Sequence, residues 1–238
     1  MSRSSSRGMP PWIIPTAVIA VALVGAIFYF MTTGGTTVRS EGYGTGKNPA
    51  LTVSLGTDGV ATLGLPGVTK IVDVYEDPLC PFCGEMERKF GQEVAKSIDE
   101  GKFAVRYHLM NFLNAGSASG DYSTRAIAAT QCIAATENGI AYAAFHAKLY
   151  SPDIQPKENS GKDYTNAQLA ALAQAAGAND QAINCIKTGA DVKMAEAAAA
   201  ASKASLAAAG GKGTPSVFLN GSALDLQDAQ WVVKLEQA

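Results

Sequence analysis

The chain has 238 residues, with 19 Lys and Arg against 21 Asp and Glu, four Cys and 47% hydrophobic residues. That length fits one domain of roughly 150–200 residues with an appendage, or two small domains. A net charge of −2, with Arg3 and Arg7 the only charges before Arg39, excludes a nucleic-acid binder, and the modest Gly and Pro content excludes a low-complexity chain.

Trp12 to Met31 is an uncharged, mostly apolar run of about 20 residues, long enough as a helix to cross a bilayer's hydrocarbon core. Arg3 and Arg7 precede it, so residues 1–11 are expected on the cytoplasmic side and everything after Met31 outside the cell membrane. The alternative is a cleaved signal peptide, whose apolar region is usually shorter and whose Ala-x-Ala site is missing here. On either reading the body of the protein is exported. Residues 32–50 are rich in Gly and Thr without apolar periodicity, and are expected to form a flexible linker. The folded domain is then residues 51–238.

Leu51–Leu55 alternates, Thr57-Asp58-Gly59 signals a turn, and Val60–Leu63 answers it, so a strand pair is expected. Lys70–Tyr75 is a β-branched interior strand. Helical spacing covers Glu85–Ile98 and strand character returns at Phe103–Tyr107. About 121–209 is Ala-rich and helical, broken by turns. Ser216–Leu219 is a strand, Asn220-Gly221 a hairpin turn, Ala223–Leu226 its return, and Asp228–Gln237 a last helix with Trp231 in its core face. The fold class is α/β.

Cys80-Pro81-Phe82-Cys83 follows a strand and opens a helix. Pro81 suits the first helical position, where its missing N–H has no partner anyway. Cys80 then caps the helix, where unpaired N–H groups and the macrodipole favour a thiolate, and Cys83 lies one turn on as the resolving thiol. A zinc site would need a second ligand pair, and neither His108 nor His146 stands at finger spacing. A purely structural disulfide between Cys80 and Cys83 would close a very tight loop. Cys132 and Cys185 are 53 positions apart; a structural bridge between them is the default in an exported protein, with a second redox-active pair as the sharper alternative. His108 and His146 read as structural, and Phe82 as an exposed side chain that contacts substrate.

With Asp77, Cys80-Pro81-Phe82-Cys83 and Gly213-Thr214-Pro215-Ser216-Val217-Phe218-Leu219-Asn220-Gly221 in view, the chain resembles the DsbA-like thiol:disulfide oxidoreductases of the thioredoxin superfamily. The resemblance implies a thioredoxin fold with an inserted all-helical domain, preceded here by one transmembrane helix. It also implies a cis bond before Pro215, with Thr214 offering its backbone to substrate, and places Cys132–Cys185 in the insertion. The implied activity is disulfide oxidation of reduced, exported proteins through Cys80 and Cys83, supported by Pro81, Phe82, Thr214 and Pro215. The implied partner is an integral-membrane reoxidase of DsbB or VKOR type. The site would use no metal or organic cofactor. A reductase or isomerase on the same chemistry, and a non-catalytic binder of unfolded chains, are the alternatives. Two departures stand out: Phe82 replaces the His of the best-known members, and Val74 replaces a Glu that many relatives carry six residues before the nucleophile, although Glu76 and Asp77 remain nearby.

Overall fold

The structure, a computed structural model, describes residues 37–238. The run Trp12–Met31 lies outside the described residues, and among the described residues no helix is long and apolar enough to cross a membrane.

Six strands form one sheet: β1 (Thr52–Leu55), β2 (Ala61–Gly64), β3 (Ile71–Glu76), β4 (Ala104–Leu109), β5 (Ser216–Leu219) and β6 (Ser222–Ala223), in spatial order β1-β2-β4-β3-β5-β6. Only β3 and β4 run parallel; a parallel pair needs a long crossover, and helix α1 (Pro81–Asp99) supplies it. The remaining neighbours are antiparallel, joined at the edges by short turns. Five helices fill the expected insertion: α2 (Tyr122–Ala134), α3 (Gly139–Leu149), α4 (Asn166–Ala175), α5 (Asp180–Thr188) and α6 (Val192–Ala208). The chain closes with α7 (Trp231–Gln237).

Period-2 alternation along β3 sorts its side chains onto two faces. Val72, Val74 and Glu76 share the face on which Glu76 meets His146 of α3. The opposite face carries Asp73 and Tyr75, and there the Tyr75 hydroxyl lies 2.8 Å from that of Ser205 on α6. Phe90 of α1 packs edge-on against Trp231 of α7, which is buried as expected.

Three departures from the sequence reading have a cause visible in the hydrogen bonds. The linker expectation for 32–50 is corrected over its described part. Arg39 donates its backbone N–H to Lys89 O at 2.7 Å and its guanidinium to Glu93, and Tyr43 donates its hydroxyl to Asp99. Residues 39–48 therefore lie as a strap along α1, because their polar groups find partners there. The return strand expected over Ala223–Leu226 stops at Ala223, since Asp225 turns the chain by accepting from the Gln227 N–H. The last helix starts at Trp231 rather than Asp228, because Asp228 accepts from the Gln230 N–H in a turn of the same kind.

Candidate active site

Helix α1 begins at Pro81 with Cys80 as its cap residue in extended conformation (φ −68°, ψ 119°). No side chain caps the helix and its first turn holds no acidic residue, so nothing anionic competes with the Cys80 sulfur for the exposed N–H groups. Both Cys80 and Cys83 are thiols here and both are buried; Cys83 is fully enclosed. Phe82 between them is 64% exposed.

The two sulfurs differ in acidity for identifiable reasons. Hydrogen bonding from the Cys83 thiol, aided by the backbone N–H groups of Cys83 and Phe82, lowers the Cys80 pKa to about 6 against the opposing effect of burial. Burial pushes Cys83 well up, and the charge of Glu76 reinforces it. These shifts favour the thiolate at Cys80 and the protonated thiol at Cys83.

The loop before β5 meets this pair from the other side. Thr214-Pro215 is a cis peptide bond, and the Cys80 sulfur lies 3.6 Å from the Thr214 carbonyl oxygen. Thr214 thus lies against the Cys80 sulfur.

A buried acid sits beneath the thiols at Glu76, four residues before Cys80. Strand β3 extends one residue beyond the expected Lys70–Tyr75, and the inward alternation through Val72 and Val74 ends on this carboxylate. Its Oε2 lies 3.0 Å from His146 Nε2, and the other ring nitrogen of His146 is 3.9 Å from Glu87 of α1. Burial raises the carboxyl pKa of Glu76 and of Glu87, and lowers that of His146 toward the neutral ring. His146, read from sequence as structural, belongs to this acid cluster. Its position among apolar helix residues concealed that, since only the tertiary fold brings Glu76, 70 positions away, to it. His108 keeps to the far face, 2.8 Å from Asp73 and stacked on Tyr75.

Asp77 organises the approach. Its carboxylate accepts from the Leu79 and Leu113 N–H groups at 2.9 and 3.0 Å and from the Ser123 hydroxyl at 2.6 Å. Gln155, from the loop after α3, donates to the carbonyls of Cys80 and Pro78 and so ties the insertion to the start of α1. Arg88 steadies Gln155 by donating to its Oε1. Gly84 makes this clasp possible, because a Cβ there would lie 2.0 Å from Gln155 Oε1. Neither Glu87 nor Gln155 carried a sequence signal, as each acts through partners distant in the chain.

Cys132 of α2 and Cys185 of α5 are joined in a disulfide with Cα atoms 5.8 Å apart. It clamps two helices of the insertion.

A dithiol at a helix start, a cis-proline loop against its outer sulfur and a buried acid beneath define a protein that exchanges disulfides. The thioredoxin family model matches residues 57–236. Among solved structures, MdbA of Corynebacterium diphtheriae, a thiol-disulfide oxidoreductase, superposes with a TM-score of 0.69 at 26% identity over 80% of this chain and 95% of that one. DsbA of Mycobacterium tuberculosis superposes at 0.62 with 31% identity over 79% and 91%. The serine/threonine-protein kinase PknE of M. tuberculosis H37Rv is 40% identical over 164 residues, 69% of this chain. The chain spans only 29% of that kinase's length. The chain belongs to the thioredoxin family, among its DsbA-like thiol-disulfide oxidoreductases.

Proposed function

We propose that the protein is a membrane-tethered, extracytoplasmic oxidase that introduces disulfides into exported proteins. The observation that carries the reading is the asymmetry of the thiols. Cys80 is the more acidic and lies against the Thr214-Pro215 loop, whereas Cys83 is enclosed and held protonated. Stabilising one thiolate stabilises the reduced protein, which makes transfer of the disulfide to a client downhill.

A client thiolate attacks the Cys80 sulfur of the oxidised pair, forming a client–Cys80 disulfide and expelling Cys83 as a thiolate. Burial makes that anion costly, so Cys83 takes up a proton; Glu76, held toward its neutral form and electrostatically coupled to Cys83, is suited to supply it. A second client thiolate then attacks the client sulfur, releasing a closed client disulfide and the Cys80 thiolate. The client has lost two electrons and the Cys80–Cys83 pair has gained them, so each further turnover needs a reoxidant. An integral-membrane oxidase of DsbB or VKOR type fits that need, with Trp12–Met31 as the tether that keeps the thiols near it.

The test is single-turnover oxidation of a reduced, unfolded client followed by mass. Oxidised protein should close the client's disulfide stoichiometrically and turn over only when a reoxidant is added, and Cys80→Ser should abolish the reaction. Net reduction of client disulfides would establish a reductase instead. Client binding that is unchanged in Cys80→Ser, with no exchange in the unaltered protein, would establish a binder.

A further inference from the structure

Beneath the strap lies a cavity of about 420 Å³, a size typical of small-molecule sites. Gly44, Thr45 and Gly46 roof it, Leu51, Leu63, Val94 and Ile98 give it apolar walls, and Glu87 and His146 form its polar end. The roof is fastened at several points: Gly44 N–H donates to the Gln92 side chain at 2.9 Å, Lys47 N–H to Asp99 at 2.6 Å, and Arg39 pairs with Glu93. The cavity is thus a half-open space with a clasped strap along one side.

The carboxyl groups at its polar end have no cation paired with them. Among the described residues, neither Glu76 nor Glu87 has a Lys or Arg within ion-pair distance, their only such partner being His146. Arg88, which also lines the cavity, donates instead to the Tyr150 carbonyl and to Gln155. Glu76 is fully enclosed, forms no wall of the cavity itself, and is hydrogen-bonded among the described residues to His146 and Glu87. Two buried carboxyl groups side by side ordinarily resist ionisation, and a bound positive charge would relieve that.

We propose that this cavity is a binding site for an apolar organic ammonium, its hydrocarbon part against Leu51, Leu63, Val94 and Ile98 and its N–H groups donated to Glu87 and His146. The ligand supplies the ion pair that Arg88, engaged with Tyr150 and Gln155, does not give to Glu87. The apolar walls select an organic cation over a bare metal ion, which would gain nothing from them. Because Glu76 is coupled to both thiols, occupancy would be felt at the active site, but binding itself does not depend on the redox chemistry.

Isothermal titration of the full chain with 4-phenylbutylammonium and with 4-phenylbutan-1-ol tests this, since the two differ mainly in charge. The ammonium should bind one-to-one and at least tenfold more tightly than the alcohol. Glu87→Gln should erase that preference, Ala147→Trp, which fills the cavity, should abolish binding of both, and Cys80→Ser should bind as the unaltered chain does. Equal affinity for the two probes, binding that survives Ala147→Trp, or no saturable binding of the ammonium would overturn the proposal. So would saturable binding of zinc chloride with none of the ammonium, which would make the cluster a metal centre.

Discussion

Cys80 obtains its acidity from the Cys83 thiol and from the N–H groups of Phe82 and Cys83, without the histidine that the best-known relatives place between the cysteines. Alkylation of the reduced protein should therefore proceed at Cys80 with a midpoint near pH 6, while Cys83 stays unreactive across the neutral range. Equal rates at the two sulfurs would contradict the assignment. The sign of the linkage follows, because a depressed pKa stabilises the reduced form above the ordinary thiol range near 8.5 and loses that stabilisation as pH falls through about 6. The reduction potential should accordingly change by about 30 mV per pH unit above pH 6 and about 60 mV below it, a break that potentiometry in glutathione buffers can read. Phe82→His should lower the Cys80 pKa, and each unit corresponds to roughly 30 mV toward a more oxidising protein. Glu76→Gln should slow client oxidation by on the order of a hundredfold, through loss of the proton offered to Cys83, while leaving Cys80 alkylation fast. An unchanged oxidation rate would remove Glu76 from the proton path.

Between elements, the loops that meet at the start of α1 are held by few groups, so single substitutions are informative. Asp77→Ala leaves the Leu79 and Leu113 N–H groups and the Ser123 hydroxyl without their acceptor, a cost of about 3 kcal/mol. For a domain of this size the melting temperature should fall by roughly 6–12 °C, measured by scanning calorimetry. Gly84→Ala should displace the Gln155 amide from the Cys80 and Pro78 carbonyls, and a crystal structure of the variant would show whether that clasp has moved. The Cys132–Cys185 bridge closes a loop of 53 residues, worth up to about 4 kcal/mol on the chain-entropy model. Replacing both residues by Ser should lower stability within that bound and leave the Cys80 alkylation profile unmoved. A shift in that profile would mean the second pair takes part in the chemistry.

Across the whole molecule, what the sequence disclosed was whatever is written locally. The Cys-x-x-Cys motif after a β-branched run, the Gly-Thr-Pro loop and the hairpin signal at Asn220-Gly221 each carry their structure within a few residues. Glu76 was visible but unassigned, since its role depends on β3 running one residue further than its β-branched stretch. Glu87, His146 and Gln155 were not legible, because packing of α1, α3 and the following loop around β3 is what makes them neighbours. The strap was misread for a similar reason: Gly-rich sequence suggests a free linker unless its partners, here Glu93 and Asp99 on α1, can be foreseen. Burial of Glu76 and Glu87 also bears on the stability of the entire fold. Their raised pKa values mean stability is fully present below about 4.5 and declines as pH rises from there. Glu87→Gln should flatten that decline in thermal melts taken across pH.

The proposal that the Cys80 thiolate makes this protein an oxidant is measured directly by equilibrating the full chain with a glutathione redox buffer, quenched and read by alkylation of Cys80 and Cys83. The expected potential lies above the roughly −270 mV of thioredoxin and, with Phe82 in place of a histidine, below the roughly −120 mV of DsbA. A value at or below that of thioredoxin would contradict it.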